Sequence, residues 1–287
     1  MGGLAAVAYG VGIERRWYAT RHETMPLLRR PGRLRILFFS DLHLAPGQTH
    51  RVDFVRQVAD ACQPDLVVSG GDNLEHADAV EPIVRMHRDV LASTGAVGLA
   101  VLGAHDRHGP VFTNPAGYLS GPSEGPIGAP LDTVSLVNGL VDGGWQVLEN
   151  EATSVVTAAG PVDVVGLDDP HIEREDLSVV KGAVCDSEAV LRLGLVHAPY
   201  LRGLHAFDRA GFDLALAGHT HGGQLAVPGW GALVSNSDLP PSQAKGSSWF
   251  GADLRLHVSA GLGHSIYAPI RFACRPELSV LDIVSAP

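Results

Sequence analysis

The sequence predicts an α/β domain built around a largely parallel sheet. Residues 34–102 alternate between short apolar runs and amphipathic stretches in the order β-α-β-α-β, a pattern typical of parallel strands joined by right-handed crossovers. The chain of 287 residues is long enough to bury one large core, and no repeat or change of composition divides it. We therefore expect one domain over residues 33–287, preceded by a separate segment over residues 1–32.

Apolar runs mark the expected strands, and the stretches between them mark the helices. The strands are expected over residues 34–40, 65–69, 96–102, 145–156, 162–167, 191–196, 214–217, 257–259 and 278–283. Helices are expected after Thr49, over residues 80–91 and over residues 132–141. Residues 109–130 are rich in glycine and proline and are expected to form a loop, the usual place for a substrate lid; residues 230–249 also look loop-like.

Composition excludes several classes of protein. A hydrophobic content of 45% with 18% charged residues is that of a globular protein and excludes a disordered chain. The net charge of −10 argues against a nucleic-acid partner. Three cysteines, widely separated in the sequence, give no disulfide framework and no zinc ribbon.

The N-terminal segment contains an apolar run over residues 4–13, followed by Glu14, Arg15 and Arg16. The run is shorter than the roughly 20 residues that a membrane span needs, and the charges follow it, which is the wrong order for a secretory signal. Two interpretations stay open, a short helix packed on the domain and a peripheral membrane anchor. We expect a cytoplasmic protein, associated with the membrane if the second interpretation holds.

The segment over residues 212–224 combines a buried strand with two histidines, His219 and His221, set among three glycines. Glycine permits positive φ, so the backbone can curl at this strand end and a ligand can approach it closely. Paired imidazoles at such a strand end indicate metal ligation. A surface turn that happens to contain two histidines is the competing interpretation.

Five expected strands end in residues of the metal-ligand type, namely Asp41 and His43, Asp72, His105, His197, and His219 with His221. Sites in α/β sheets form beyond the carboxyl ends of strands, so these side chains are expected to meet. Carboxylate and imidazole without cysteine favour Mn, Fe or Zn over a structural thiolate zinc. The set exceeds what one tetrahedral ion needs, and a bridging carboxylate such as Asp72 would allow the two-metal arrangement used for phosphoryl hydrolysis.

The order D-x-H, G-D, G-x-H-D, a single His and G-H-x-H, from Asp41 to His221, resembles the calcineurin-like metallophosphoesterases. The trailing GGQ and residues 261–277 are similar to a bacterial branch with phosphodiesterases and a UDP-diacylglucosamine pyrophosphatase. The resemblance implies a four-layer α-β-β-α sandwich of two mixed sheets.

The resemblance also implies roles for individual residues. It places a first divalent ion on Asp41, His43, Asp72 and His221, and a second on Asp72, His197 and His219. His105 becomes the protonated group at the leaving oxygen, oriented by Asp106. Ala104 stands where the family has a ligating asparagine, so the second ion is expected to be held weakly.

Four further residues are weaker candidates. Asp169 and His171 follow a strand and are expected to contact substrate, with a plain turn as the alternative. His264 in a glycine-rich loop is a third candidate for substrate contact, and Asn73 is expected to support a neighbouring metal ligand.

The function expected from these residues is metal-dependent hydrolysis of phosphoester bonds, of the phosphodiesterase or pyrophosphatase type, by a metal-activated hydroxide. The substrate is expected to be a small phosphorylated molecule of the nucleotide or lipid-headgroup class. A catalytically silent scaffold with the same fold is the alternative, and Ala104 is the feature that favours it. A mononuclear hydrolase of carboxylic esters or amides is a third interpretation, but no carbonyl-hydrolase motif supports it.

Overall fold

The computed structural model describes residues 2–112, 128–183 and 188–286, and it contains two six-stranded sheets packed face to face. Helices cover the outer face of each sheet, which confirms the expected four-layer α-β-β-α sandwich. Most of the loop expected over residues 109–130, together with Cys185, lies outside the described residues.

The first sheet has the strand order β1-β14-β2-β3-β4-β5. Only the pairing of β14 with β2 is antiparallel in this sheet. Its strands are β1 (Ala19–Leu28), β2 (Arg33–Phe39), β3 (Leu66–Ser69), β4 (Val97–Ala100), β5 (Trp145–Val147) and β14 (Glu277–Ser285).

The second sheet has the strand order β12-β13-β9-β8-β7-β6, and both of its outer strands run antiparallel to their neighbours. Its strands are β6 (Glu151–Thr157), β7 (Gly160–Gly166), β8 (Leu191–Leu195), β9 (Leu214–Ala217), β12 (Gly246–Phe250) and β13 (Leu254–Val258). A small hairpin pairs β10 (Ala226–Val227) with β11 (Gly231–Ala232).

The helices are α1 (Gly2–Gly12), α2 (Thr49–Cys62), α3 (Val80–Thr94), α4 (Thr133–Asp142), α5 (Ser178–Gly182) and α6 (Leu201–Arg209). Helices α2, α3 and α4 pack on the first sheet, and α5 and α6 pack on the second. Between the sheets lies a core from both, including Phe38 and Val68 facing Leu193 and Leu216. Strands buried on both faces explain why the sequence shows continuous apolar runs rather than alternation.

The strand expected over residues 145–156 is two strands that belong to different sheets. β5 ends the first sheet, and β6 ends the second. The chain turns between them at Asn150, which adopts a φ of 61° and accepts hydrogen bonds from the backbone of Asp168 and Asp176. Asparagine tolerates this left-handed conformation better than most residues, and the chain crosses from one sheet to the other at this turn.

The N-terminal segment is joined to the first sheet through β1, a strand that the sequence analysis does not predict. β1 pairs in parallel with β14 over its length. Before it, the buried carboxylate of Glu14 accepts hydrogen bonds from the backbone N–H groups of Ala273 and Cys274. The sheet thus continues across the expected boundary between residues 32 and 33. Among the described residues, no helix combines the length and apolarity needed to cross a bilayer.

His87, buried in α3, is expected to make stability depend on pH. Burial lowers the pKa of His87 from 6.5 to about 4, because the ring packs on Trp145. The unfolded chain binds a proton here at a higher pH than the folded chain does. The free energy of unfolding should therefore fall by up to about 3 kcal/mol as pH drops from 6.5 towards 4.

The measurement is the free energy of unfolding by urea across this pH range, for wild type, His87→Leu and the exposed control His22→Leu. The pH slope should be smaller in His87→Leu and unchanged in His22→Leu. Equal slopes in all three proteins would contradict the assignment.

Candidate metal centre

The ligand-type residues that follow five strands meet at one edge of the sandwich, and they come from both sheets. Asp41, His43 and Asp72 follow strands of the first sheet, whereas His197, His219 and His221 follow strands of the second. Three groups have ligand atoms within 4.8 Å of one another: Asp41, His43 and His221; His43, Asp72 and His105; and Asp72, His197 and His219. Asp72 therefore lies between two possible ion positions.

The backbone at this edge is unusual, because five of these residues adopt positive φ. The values are 52° for Asp41, 41° for His43, 53° for Asp72, 67° for His219 and 49° for His221. Each costs on the order of 1–3 kcal/mol and persists only where the surrounding structure enforces it, typically at functional sites. The curl expected between the paired histidines is present, but the histidines adopt it themselves as well as the glycines after them.

Gly103 allows the two sheets to approach closely at this edge. A Cβ atom at this position would lie 2.2 Å from Asp72 Oδ1 and 2.7 Å from His197 Nε2. Both distances are too short for real contacts, so any side chain here would displace a ligand atom. This explains the glycine at the end of the third apolar run.

His43 and His197 each present an unpaired ring nitrogen to Asp72. Their Nδ1 atoms lie 2.7 Å from Glu75 Oε2 and from the carbonyl oxygen of Gly70 respectively. Their Nε2 atoms lie 3.6 Å and 3.2 Å from Asp72 Oδ2. Both Nε2 atoms are buried and have no hydrogen-bond partner in the described part of the chain. A fixed Nδ1 with a free Nε2 is the arrangement of metal-ligating histidines, so the residues fit divalent ions.

His219 and His221 complete the two groups in the neutral form that binds metal. His219 Nε2 lies 3.0 Å from the carbonyl oxygen of Asn236, which leaves Nδ1 for a ligand. His221 Nε2 lies 3.7 Å from Asp41 Oδ1. Burial and neighbouring imidazoles lower the pKa of both rings well below the ordinary value, and Arg271 contributes to the shift of His221.

Asp72 and His197 have electrostatic properties that suit a cation between them. Burial alone would raise the pKa of Asp72, but His197 and other imidazoles outweigh it and hold the pKa well below its usual range. Burial opposes protonation of His197, but Asp72 prevails and raises its pKa. The pocket therefore stabilises positive charge, which a divalent ion would provide.

Glu75 is a buried acid at the site that no sequence motif identifies. Its Oε2 atom lies 2.7 Å from His43 Nδ1 and 3.5 Å from His105 Nδ1, and its Oε1 atom accepts a hydrogen bond from the backbone of Ile266. The carboxylate thus orients the His43 ring through a hydrogen bond and lies beside the His105 ring. The available signal was a lone acid three residues after Asp72, which the sequence alone does not distinguish from a surface residue.

Asp106 acts on the backbone of the site. Its carboxylate accepts hydrogen bonds from the backbone N–H groups of Asp72 and Asn73, both at 2.8 Å, and of Gly103 at 3.1 Å. The bond from Gly103 caps the turn that carries His105, and the orientation of His105 by Asp106 stays a prediction. Asp106 also fixes the loop after β3, and the Asn73 side chain contacts this carboxylate and Ser69.

His105 lies at the cleft above the metal ligands, with its ring 4.6 Å from that of His43. Its backbone N–H donates to Asp72 Oδ1 at 2.8 Å. Burial lowers the pKa of His105, and the carboxylates of Asp72 and Glu75 oppose this shift. Ala104 lines the same cleft and offers no ligand atom, so Asp72, His197 and His219 form the second group without an asparagine.

His171 reaches the cleft, whereas Asp169 lies behind it. The His171 ring centre is 4.5 Å from that of His219, and its Nδ1 atom lies 3.0 Å from the Tyr200 hydroxyl. Asp169 is fully buried, and its carboxylate accepts a hydrogen bond from the His171 backbone. Burial raises the pKa of Asp169 to about 7. Asp169 therefore supports the turn that carries His171, and its contact with substrate stays a prediction.

His264 is also buried, and its ring contacts Arg51 behind the cleft. Its Nε2 atom lies 3.2 Å from Arg51 Nη2, and burial lowers its pKa to about 3. Its neighbour Ser265 lines the cleft, together with Gln224 and Asn236. His264 is not among the described residues that line the cleft, and its contact with substrate stays a prediction.

Comparisons with known proteins agree with this geometry. The model of the calcineurin-like phosphoesterase family matches residues 34–223. The chain is 27% identical over 253 residues to the uncharacterized metallophosphoesterase YkoQ of Bacillus subtilis, covering 88% of this chain and 84% of that protein. It is 29% identical over 261 residues to the phosphodiesterase YaeI of Escherichia coli, covering 87% and 82%.

Among solved structures, the 5'-nucleotidase precursor of Thermus thermophilus is 15% identical with a TM-score of 0.46; the alignment covers 88% of this chain and 55% of that one. The family match spans the larger part of the chain and all six metal-ligand candidates. The protein is therefore a hydrolase of phosphoric esters and belongs to the calcineurin-like phosphoesterase family.

Proposed function

We propose that the protein hydrolyses phosphodiester or pyrophosphate bonds in small phosphorylated molecules, with two divalent ions at the candidate metal centre. The observation that carries this proposal is the position of Asp72, which belongs to two of the three groups of ligand atoms. A carboxylate shared between two ions is characteristic of two-metal sites for phosphoryl transfer. Mn, Fe and Zn all match the mixture of carboxylate and imidazole ligands.

The ligands divide between the ions by position. Asp41, His43 and His221 would hold the first ion. His197 and His219 would hold the second with Asp72, where Ala104 leaves one fewer protein ligand. Asp72 also groups with His43, so it would contribute charge to both ions. When bound, such ions polarise phosphoryl oxygens and lower the pKa of water so that hydroxide forms near neutral pH.

His105 acts at the leaving oxygen. Its half-buried ring lines the cleft, and Glu75 lies beside its Nδ1 atom, so that Nε2 is the atom free to donate a proton. Imidazole suits this step because its ordinary pKa lies near neutrality. Asp106 acts indirectly, because its carboxylate fixes the loop that carries Asp72.

The substrate's phosphate is held by groups without positive charge of their own. The cleft is lined by His171, Gln224, Asn236 and Ser265 in addition to the metal ligands, and none of the described residues that line it is Lys or Arg. Bound ions must therefore provide the attraction for the anion. Nucleotides and lipid headgroups both offer a phosphoester that fits this chemistry.

A silent scaffold is the second candidate, and Ala104 is the observation that favours it. Against it, five residues with positive φ and two unpaired buried imidazole nitrogens keep an arrangement that a scaffold does not require.

We expect hydrolysis of an aryl phosphodiester to stop when a chelator removes divalent metal and to return when Mn is added. Activity should rise steeply with Mn concentration, because the second site has fewer ligands. The assay measures aryl alcohol release with and without chelator, beside an aryl carboxylic ester as control substrate. Full activity of metal-free protein would refute the metal mechanism. Metal binding without hydrolysis of phosphodiester, pyrophosphate or monoester would favour the scaffold.

A further inference from the structure

Large apolar side chains are exposed mainly in three segments of the chain. Of the fifteen that are exposed among the described residues, ten lie in residues 2–17, 225–233 and 264–275. They include Trp230, which is 83% exposed, and Leu4, which is 81% exposed. Scattered apolar residues need no explanation, but a concentration of this kind marks an interaction surface.

Contacts join the three segments into one surface, which we call the apolar rim. Helix α1 packs on residues 270–272, where the Tyr9 and Phe272 rings lie 6.4 Å apart. On the other side, the backbone N–H of Ala226 donates to the carbonyl oxygen of Phe272 at 2.9 Å. Residues 264–275 are therefore the centre of the rim, with α1 and the β10–β11 hairpin on its two sides.

The apolar rim borders the catalytic cleft. Gln224 and Ser265 both line the cleft; Gln224 directly precedes the segment 225–233, and Ser265 belongs to the segment 264–275. The Gln224 side chain also donates to the carbonyl oxygen of Ile270 at 2.9 Å, within the rim. Whatever covers the rim is therefore held beside the metal centre.

The charge of the rim is opposite to that of the chain as a whole. The chain has a net charge of −10, yet residues 225–233 contain no charged residue and residues 264–275 contain arginine but no acid. Residues 2–22 contain one acid, Glu14, which is buried against the backbone of residues 273 and 274. Arg15, Arg16 and Arg275 accompany the apolar side chains, so the rim complements a negatively charged partner.

We propose that the apolar rim docks on an anionic lipid bilayer and holds the cleft at the lipid–water interface. Trp17 and Trp230 are exposed, and tryptophan prefers this interface. The Arg275 guanidinium lies 4.2 Å from the Trp17 ring centre, which places positive charge beside an apolar anchor. Apolar insertion combined with attraction between arginine and anionic lipid is how amphipathic surfaces bind membranes. Building on the proposed function, this makes the substrate a phosphoester carried by a lipid.

The test is sedimentation of the full chain with phosphatidylcholine vesicles, with and without phosphatidylglycerol. The variant Val7→Ser/Trp230→Ser removes two exposed side chains of the rim. The matched control Val156→Ser/Trp249→Ser removes the same two residue types, also exposed, from the outer strands of the second sheet. We expect the rim variant to lose about tenfold or more in vesicle affinity, and the control to bind as wild type does.

Two further measurements separate this proposal from its alternatives. Arg15→Gln/Arg16→Gln should weaken binding to vesicles that contain phosphatidylglycerol and reduce its dependence on that lipid. All variants should hydrolyse a soluble aryl phosphodiester at the wild-type rate. A wild-type protein that binds vesicles but does not hydrolyse this substrate would contradict the proposed function and not the docking. Equal vesicle binding by the rim variant and the control would overturn the docking. A wild-type dimer that the rim variant converts to a monomer, without vesicle binding, would overturn it in favour of contact between two copies.

Discussion

Asp72→Asn is expected to reduce phosphodiester hydrolysis by about a thousandfold or more, the largest loss from any single ligand substitution. Asp72 is shared by two groups of ligand atoms, so its charge supports both ions. Loss of several kcal/mol of charge stabilisation corresponds to a factor of this size. Metal content per chain and kcat, measured on the same preparation, check the prediction.

The matched control for this substitution is Asp282→Asn. Asp282 pairs with Arg35 at the opposite end of the first sheet, away from the metal centre. Its replacement should leave metal content and rate unchanged. Retention of both ions and of the rate in Asp72→Asn would show that the carboxylate does not bridge.

His105→Ala is expected to lower kcat by about 10²–10⁴-fold, the usual contribution of a general acid, while both ions stay bound. The group that would hold the second ion, Asp72 with His197 and His219, does not include His105, although His105 lies in a third group with His43 and Asp72. The loss should be largest for substrates with a basic leaving group and small for an aryl leaving group of low pKa. Rates for such a substrate pair, together with metal content, check the prediction.

The competing arrangement shifts the G-A-H-D segment by one residue, so that His105 binds the second ion and Asp106 lies beside the leaving group. The structure opposes it, because the Asp106 carboxylate is buried against the backbone of residues 72, 73 and 103. Loss of the second ion in His105→Ala would nevertheless favour that arrangement. An equal loss of rate on both substrates would contradict the acid role.

The six metal-ligand candidates could be predicted from sequence because each follows an apolar run. Strands such as β3 and β9 are buried on both faces, and their ends are therefore visible as a change from apolar to small and polar residues. The four-layer arrangement came from the resemblance and not from the pattern itself. A periodic pattern reports burial, but it does not report which of two sheets a strand joins, as the division of residues 145–156 between β5 and β6 demonstrates.

Residues that act through backbone contacts could not be assigned from sequence. Asp106 lies beside His105 in the chain, yet its carboxylate meets backbone amides of a different loop. Glu75 carries no motif and acts because tertiary packing brings His43 and His105 to either side of it. Asp169 and His264 present the same difficulty. A polar residue at a strand end or in a glycine-rich loop either faces the cleft or supports the backbone behind it, and the sequence does not distinguish the two positions.

The origin of the ligands in both sheets has a mechanical consequence. One ion would join Asp41 and His43 to His221, and the other would join Asp72 to His197 and His219. Each would thus cross-link halves of the chain that are distant in sequence, and it would stabilise the folded chain because the assembled site is absent from the unfolded one. Metal binding and cohesion of the sandwich then become one linked equilibrium. Removal of metal would therefore stop hydrolysis and also weaken the packing of the two sheets at the edge that carries the ligands.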